Sequence, residues 1–497
     1  MNRCKLKTSK YFVFLCMMIL IIVQGCEKDP DTIEPEQPDP IELHNQVINE
    51  WILDNMEVFY YWNDWHNWNP QIPQNINTKL KPEVYFESLL HQDDHFSVIY
   101  DNYQTLRQSL SGVSTEAGYD YVPLLISERN IMCYISYIKP GTPAQTAGLK
   151  RGDLFLRINN NQLTIDNYRL LHSETGKMHT LGMAKIEGND ISFIENVALT
   201  VIEGYEENPI LLDTLYNIQN RKIGYFVYNF FARDSKEGGI EYEKELNNLF
   251  GKYKTEGIDD LIIDLRYNSG GTVITAQALA SMIANRSKDD IFGVEDFNFL
   301  LHSYFSATEG EDYNKMYFLD EIVRTQNDKV TINKLGLSRV YLIVSRHTAS
   351  ASELIINGLR PYLGNENVVL VGDKTYGKNY GSMLIYERDP IKQQTNDWAL
   401  LPVVFKLSNK DGFSDYGSGF EPDIAVREDV ASALPFMKQL GDTEELLLAT
   451  TLDLIFGISK SVSKSAALAE FEFFDSTVEK LSARNNMYIY DRKINLP

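Results

Sequence analysis

The 497-residue chain has few of the features that mark metal, redox or nucleic-acid proteins. It holds four cysteines, three of them within the first 26 residues, so Cys133 alone remains in the body and no internal disulfide framework can form. Cys133 lies in an apolar strand pattern and reads as core. The eight histidines are scattered, with no H-E-x-x-H and no paired cysteine motif, so the sequence calls for no metal and no other cofactor. Net charge is −22 and basic residues cluster only in the first ten, which argues against nucleic acid as a partner. The N-terminal apolar run at 11–23, YFVFLCMMILIIV, falls short of the ~20 residues a bilayer span needs. Behind a basic flank without acidic residues, it reads as a secretory signal.

What the chain does have is concentrated in three stretches. In 340–361, VYLIVSRHTASASELIINGLRP, a β-branched run gives way to a helical pattern through small and hydroxyl residues. A serine at such a corner is exposed by the turn, and the next amide points where an oxyanion would sit, so Ser350 is a candidate nucleophile with Ala351 behind it. The same residues also spell a capping box, Ser350-x-x-Glu353, in which the serine only starts a helix. In 367–382, NVVLVGDKTYGKNYGS, a second buried strand leads to Lys378. A lysine can act as base for a serine if burial lowers its pKa from ~10.4 toward ~7–8. Residues 372–378 also fit G-x-x-x-x-G-K, but Asn379 stands where a phosphate-binding loop needs Ser or Thr, and a strand pattern follows. In 259–272, DDLIIDLRYNSGGT, a third buried strand ends in Gly270-Gly271, a pair that offers backbone N–H groups without side-chain obstruction.

Taken together, D-L-R-x-N-x-G-G, T-A-S-A-S-E, T-Y-G-K and the later G-F-E-P-D at 419–423 resemble, in order, the C-terminal processing (tail-specific) serine peptidases. The resemblance spans about 96–426 and implies Ser350 as nucleophile, Lys378 as base, and an oxyanion hole from the amides of Ala351 and of Gly270 or Gly271. Glu353 and Ser382 are supporting candidates. Ser382 stands where the family often has glutamine, and the serine-to-lysine spacing is a little long, so the third member of the site stays open. His347 is too near Ser350 on the same turn to serve as its base, and His95 is assigned no chemistry.

Read in order, the chain divides into a signal peptide at 1–25, an acidic, proline-rich tether at 26–42 and a helical domain at 43–110. A PDZ-like domain at 111–205 precedes a catalytic domain at 206–435, interrupted by a patternless insertion at about 287–335. A helical segment at 436–497 ends the chain. Val23-Gln24-Gly25-Cys26 resembles a bacterial lipoprotein processing site, which makes Cys26 the candidate lipidated residue and the membrane a partner through that lipid. The expected place is the envelope of a Gram-negative bacterium, on the outer membrane. Trp51, Trp62, Trp65 and Trp68 are expected to pack the helical domain onto the core rather than to form a stacking surface for ligands.

Residues 134–163 resemble a PDZ domain, whose carboxylate loop would fall at Gly118, Tyr119, Tyr121 and Val122, with Asp120 where a second glycine is expected. The expected fold class is multidomain α+β with a catalytic core of ClpP/crotonase-like type. The expected partners are proteins or peptides with a free C-terminus. The alternative is a non-catalytic peptide-binding lipoprotein on the same scaffold.

Overall fold

The computed structural model describes residues 39–63, 78–168, 178–187, 190–389, 391–394, 396–428, 437–458, 472–473 and 488–489. The signal, Cys26, most of the tether, Trp65 and Trp68 lie outside the described residues. The centre is a six-stranded sheet. Ile210–Ile218 and Arg221–Tyr228 pair antiparallel, then Asp260–Asp264, Val340–Val344, Val368–Gly372 and Ile424–Ala425 add in parallel. The three runs of the sequence motifs become the adjacent inner strands because every one of their residues is buried. Only a sheet covered on both faces accepts such continuous apolar runs.

Side chains alternate between the two covers. Ile263, Leu342, Val344 and Leu370 meet the helices Glu241–Glu256, Val273–Ile283 and Ala351–Leu363. Ile262, Ile343, Val369 and Val371 meet Leu446–Ile455 on the other side. Each such burial contributes about 1.5–3 kcal/mol. The loops that carry Gly270-Gly271, Ser350 and Lys378 all leave the carboxyl ends of these three neighbouring strands, the end at which open α/β sheets bind ligands.

A second, β-rich body is built on Tyr119–Leu125, Ile131–Ile138, Leu154–Ile158, Met178–Glu187 and Asp190–Thr200. It has its own core, in which Cys133 is fully buried with Ile131, Ile135, Phe155 and Leu181. The N-terminal helices run Pro40–Phe59 and Pro82–Ser88, the second opened by its proline. Trp51 packs against the main core, while Trp62 stacks on His91 and leans on Tyr380 with centroids 5.1 Å apart.

Two sequence expectations are corrected. The stretch at 287–335 is not a patternless insertion. Its strand Ile291–Phe297 sits inside a five-stranded sheet, between Lys315–Tyr317 and Val403–Ser408, which continues through Tyr380–Met383 to Tyr488–Ile489. Glu295 and Asp296 broke its apolar alternation in the sequence, yet Glu295 is buried. Nor is 436–497 simply helical. Within the described residues it holds one helix, Leu446–Ile455, and two short strands, Glu472–Phe473 and Tyr488–Ile489.

Candidate active site

Ser350 sits at the corner between Val340–Val344 and Ala351–Leu363 with φ 63° and ψ −114°, a conformation rare for a side-chain-bearing residue. Such strain persists only where neighbours fix it, and here they do. Asn268 O accepts from the Ala349 amide and from Ser352 Oγ, both at 3.1 Å, and the Asn268 side chain spans from the Gly270 amide (2.9 Å) to Tyr228 O (2.9 Å). The corner and the glycine loop are therefore one assembly. The Ser350 oxygen faces the helix start as in a capping box but makes no hydrogen bond, and it is fully buried. The simple cap does not account for it.

Glu353 supplies the other half of that box and more. Its Oε2 accepts from the amides of both Ser350 and Lys378, each at 2.8 Å. Its Oε1 accepts from the Gly377 amide (2.8 Å) and from Thr375 Oγ1 (2.6 Å). One buried carboxylate thus holds the serine corner and the lysine loop together. Burial pushes its pKa up, against the pull of those four donors.

Lys378 is fully buried, and desolvation lowers its pKa to about 7, although Asp94 and then Glu353 pull it upward. Its Nζ lies 4.9 Å from the centre of the Phe96 ring. The loop carrying Asp94 and Phe96 is anchored by Tyr60 Oη on Asp94 (2.8 Å) and by Ser97 Oγ, which accepts from the Val403 amide (2.8 Å). The lysine is therefore roofed by the N-terminal region. Sequence reading assigned no role to Asp94, Phe96 or Asn268. Asn268 lies inside the D-L-R-x-N-x-G-G motif, whereas Asp94 and Phe96 precede all four motifs, and no local pattern announces their contact with the lysine.

The glycine pair is narrowed. Both residues have φ well into the positive range, 125° and 135°, and a Cβ on Gly271 would stand 2.0 Å from Phe231 O. The Gly270 amide is already committed to Asn268, which corrects its place as an equal candidate donor. The amides of Gly271 and Ala351 have no hydrogen-bond partner among the described residues, and a Cβ built on Gly270 would lie 3.3 Å from the Ala351 nitrogen.

Ser382 is buried four positions after the lysine, its oxygen without a partner among the described residues. The peptide-loop candidates lie apart, on the β-rich body. Gly118 is pressed against Thr142, Tyr119 Oη pairs with His179 Nε2 at 2.9 Å, a bulge falls between Asp120 and Tyr121, and Val122 is buried. Among the described residues no cluster of three His, Cys, Asp or Glu side chains converges to hold a metal.

A buried ion network joins that body to the end of the strand Asp260–Asp264. Arg266 is fully buried and binds Asp264 (2.7 Å), Glu428 (2.6 Å) and Glu445 (2.8 Å). Arg151, from the β-rich body, reaches the same Glu428 at 2.5 Å and also Tyr267 Oη, two residues before the Ser269-Gly270-Gly271 turn.

An α/β sheet whose strand ends carry a strained serine, a neutralisable lysine and a glycine turn defines a hydrolase-type site. The sequence profile of peptidase family S41 matches residues 222–426, and that of the S41 N-terminal domain matches 47–98. The chain belongs to peptidase family S41. A protein of Staphylococcus aureus named "Probable CtpA-like serine protease" is 22% identical over 337 residues, which are 66% of this chain and 57% of the relative. Its counterpart in Staphylococcus epidermidis is 21% identical with the same coverage. The chain thus spans little more than half the length of these relatives. A solved structure from Bacteroides fragilis, assigned to the S41 proteases, has the same fold. It aligns with a TM-score of 0.63 at 24% identity over 82% of this chain and 98% of that one.

Proposed function

We propose that this chain is a serine endopeptidase in which Ser350 attacks the scissile carbonyl and Lys378 takes its proton. The observation that carries this reading is the shared Glu353 oxygen, which brings the backbone of a strained serine and that of a buried lysine with a pKa of about 7 to one point. A neutral amine can accept the hydroxyl proton as the carbonyl is attacked, and can return it to the departing amine. The amides of Ala351 and Gly271 would hold the oxyanion, and water would then release the acyl group. The substrates are proteins or peptides, and the β-rich body, read as PDZ-like, would receive their free C-terminus through Gly118, Tyr119, Tyr121 and Val122.

Ser350→Ala should lower turnover of an unstructured peptide by more than about 10³-fold. Because the Ser350 oxygen makes no hydrogen bond, the melting temperature should hardly move. Turnover that survives the substitution would remove Ser350 as nucleophile. For C-terminal recognition, wild-type protein should cleave a peptide with a free C-terminus faster than its amidated twin, and equal rates would refute it.

The location belongs to the same proposal: an envelope protein held at the outer membrane by lipid on Cys26. Among the described residues no helix is long and apolar enough to cross a membrane. Cys26→Ser should shift the protein from the membrane to the soluble fraction, as scored by fractionation. Unchanged membrane retention would exclude the lipid.

A further inference from the structure

Ser350 and Lys378 expose no surface, so a substrate reaches them only if something gives way. One element beside them comes from the far end of the chain, Tyr488–Ile489. It pairs in parallel with Ser382–Met383 on one side and bridges to Thr272 on the other, with the Tyr488 amide donating to Gly271 O at 3.1 Å. Gly271 has an amide without a hydrogen-bond partner among the described residues, and a Cβ on its neighbour Gly270 would touch the Ser350 side chain. An extended segment of this chain thus lies in the slot between Gly271–Thr272 and Ser382–Met383, next to the turn that approaches Ser350.

The same tail makes a second addition of this kind. Glu472–Phe473 pairs antiparallel with Leu124–Leu125, the edge strand of the β-rich body, running toward Tyr119 and Asp120. Adding a strand to an exposed sheet edge is how extended peptides are recognised, with backbone bonds for affinity and pockets for selectivity. At the slot the pocket is explicit. The Tyr488 ring is buried among Val98, Leu106, Leu110 and Leu401, and its hydroxyl donates to Leu110 O at 3.2 Å.

We propose that the slot between Gly271–Thr272 and Ser382–Met383 is the strand-pairing site for extended polypeptide substrates, with an aromatic-accepting pocket, and that the chain's own C-terminal tail fills it at rest as an internal competitor. The proposal rests on the peptidase reading, but its test does not depend on catalysis. The probe is a fluorescent peptide of residues 484–493, RNNMYIYDRK, offered to the Ser350→Ala protein as a full chain and as a chain ending at residue 483.

A tethered segment competes at a high effective concentration, so the shortened protein should bind the probe at least about tenfold more tightly by anisotropy. Replacing the first tyrosine of the probe by alanine should cost most of that gain. Full-chain Tyr488→Pro, which loses both the N–H donor and the ring, should bind like the shortened protein. Equal binding by all forms overturns the proposal. So does a shortened protein that melts well below the full chain while Tyr488→Pro binds the probe no better, since the tail is then a structural strand. Inactivity of the wild-type enzyme would sink the peptidase reading and leave this result standing.

Discussion

Lys378→Met should abolish peptide hydrolysis and leave the protein at least as stable as wild type at neutral and acid pH. With its pKa at about 7 in the fold against an ordinary 10.5, the lysine binds fewer protons folded than unfolded throughout the interval between those values. Stability therefore rises with pH from about 7 to about 10.5, and below about 7 the whole penalty is present. Over that shift it approaches about 5 kcal/mol, an upper limit because water entry and relaxation reduce it. Methionine keeps much of the aliphatic volume and carries no proton, so the variant's melting temperature should lose the lysine's pH dependence. Wild-type activity should climb through pH 7 as the amine becomes neutral. A methionine variant that melts well below wild type at pH 6 would make Lys378 a structural partner instead, and one that still cleaves would send the proton elsewhere.

Arg266→Met should have the opposite character, a large loss of stability. The guanidinium is completely buried and satisfies Asp264, Glu428 and Glu445 together. Removing it leaves three buried carboxylates, of which Arg151 reaches only the two glutamates. Breaking such a cluster from one side costs about 3–5 kcal/mol, to be read from urea unfolding near pH 7. The two arginines hold the Glu428 carboxyl down to about 2, beneath its ordinary 4.5. Its contribution in wild type is thus full above pH 4.5 and fades as the pH falls toward 2. The variant should keep only the part of that acid-side dependence that Arg151 sustains, and its deficit should shrink at low pH as the carboxylates take up protons. A deficit below about 1 kcal/mol at pH 7 would contradict the account.

The inner strands were legible because continuous apolar runs such as Val340–Val344 admit few other placements, and the corner at Ser350 follows from what stands beside it. Glu353 was visible as a capping residue, and its reach to Gly377 and Lys378 was not, because that reach depends on how two strands lie side by side. Asp94 and Phe96 stand far from Lys378 in the chain, and only the docking of the N-terminal helices brings them there. Ile291–Phe297 escaped because its interior carries Glu295 and Asp296, which read as surface until its partners Lys315–Tyr317 and Val403–Ser408 are in place. The strands at 472–473 and 488–489 are too short to show any periodicity.

Glu353 and Lys378 would fare differently in a descendant that gave up the reaction. The carboxylate still has a helix to start and a loop to tie, so selection for folding alone would retain it. The lysine's contacts with Phe96, Asp94 and Glu353 do not outweigh its desolvation, and drift toward an apolar residue would be favoured as soon as chemistry ceased to matter. Among relatives of this chain, a conserved glutamate at this position therefore says little about activity. Under the proposed mechanism, a conserved lysine marks an enzyme still under selection to cut.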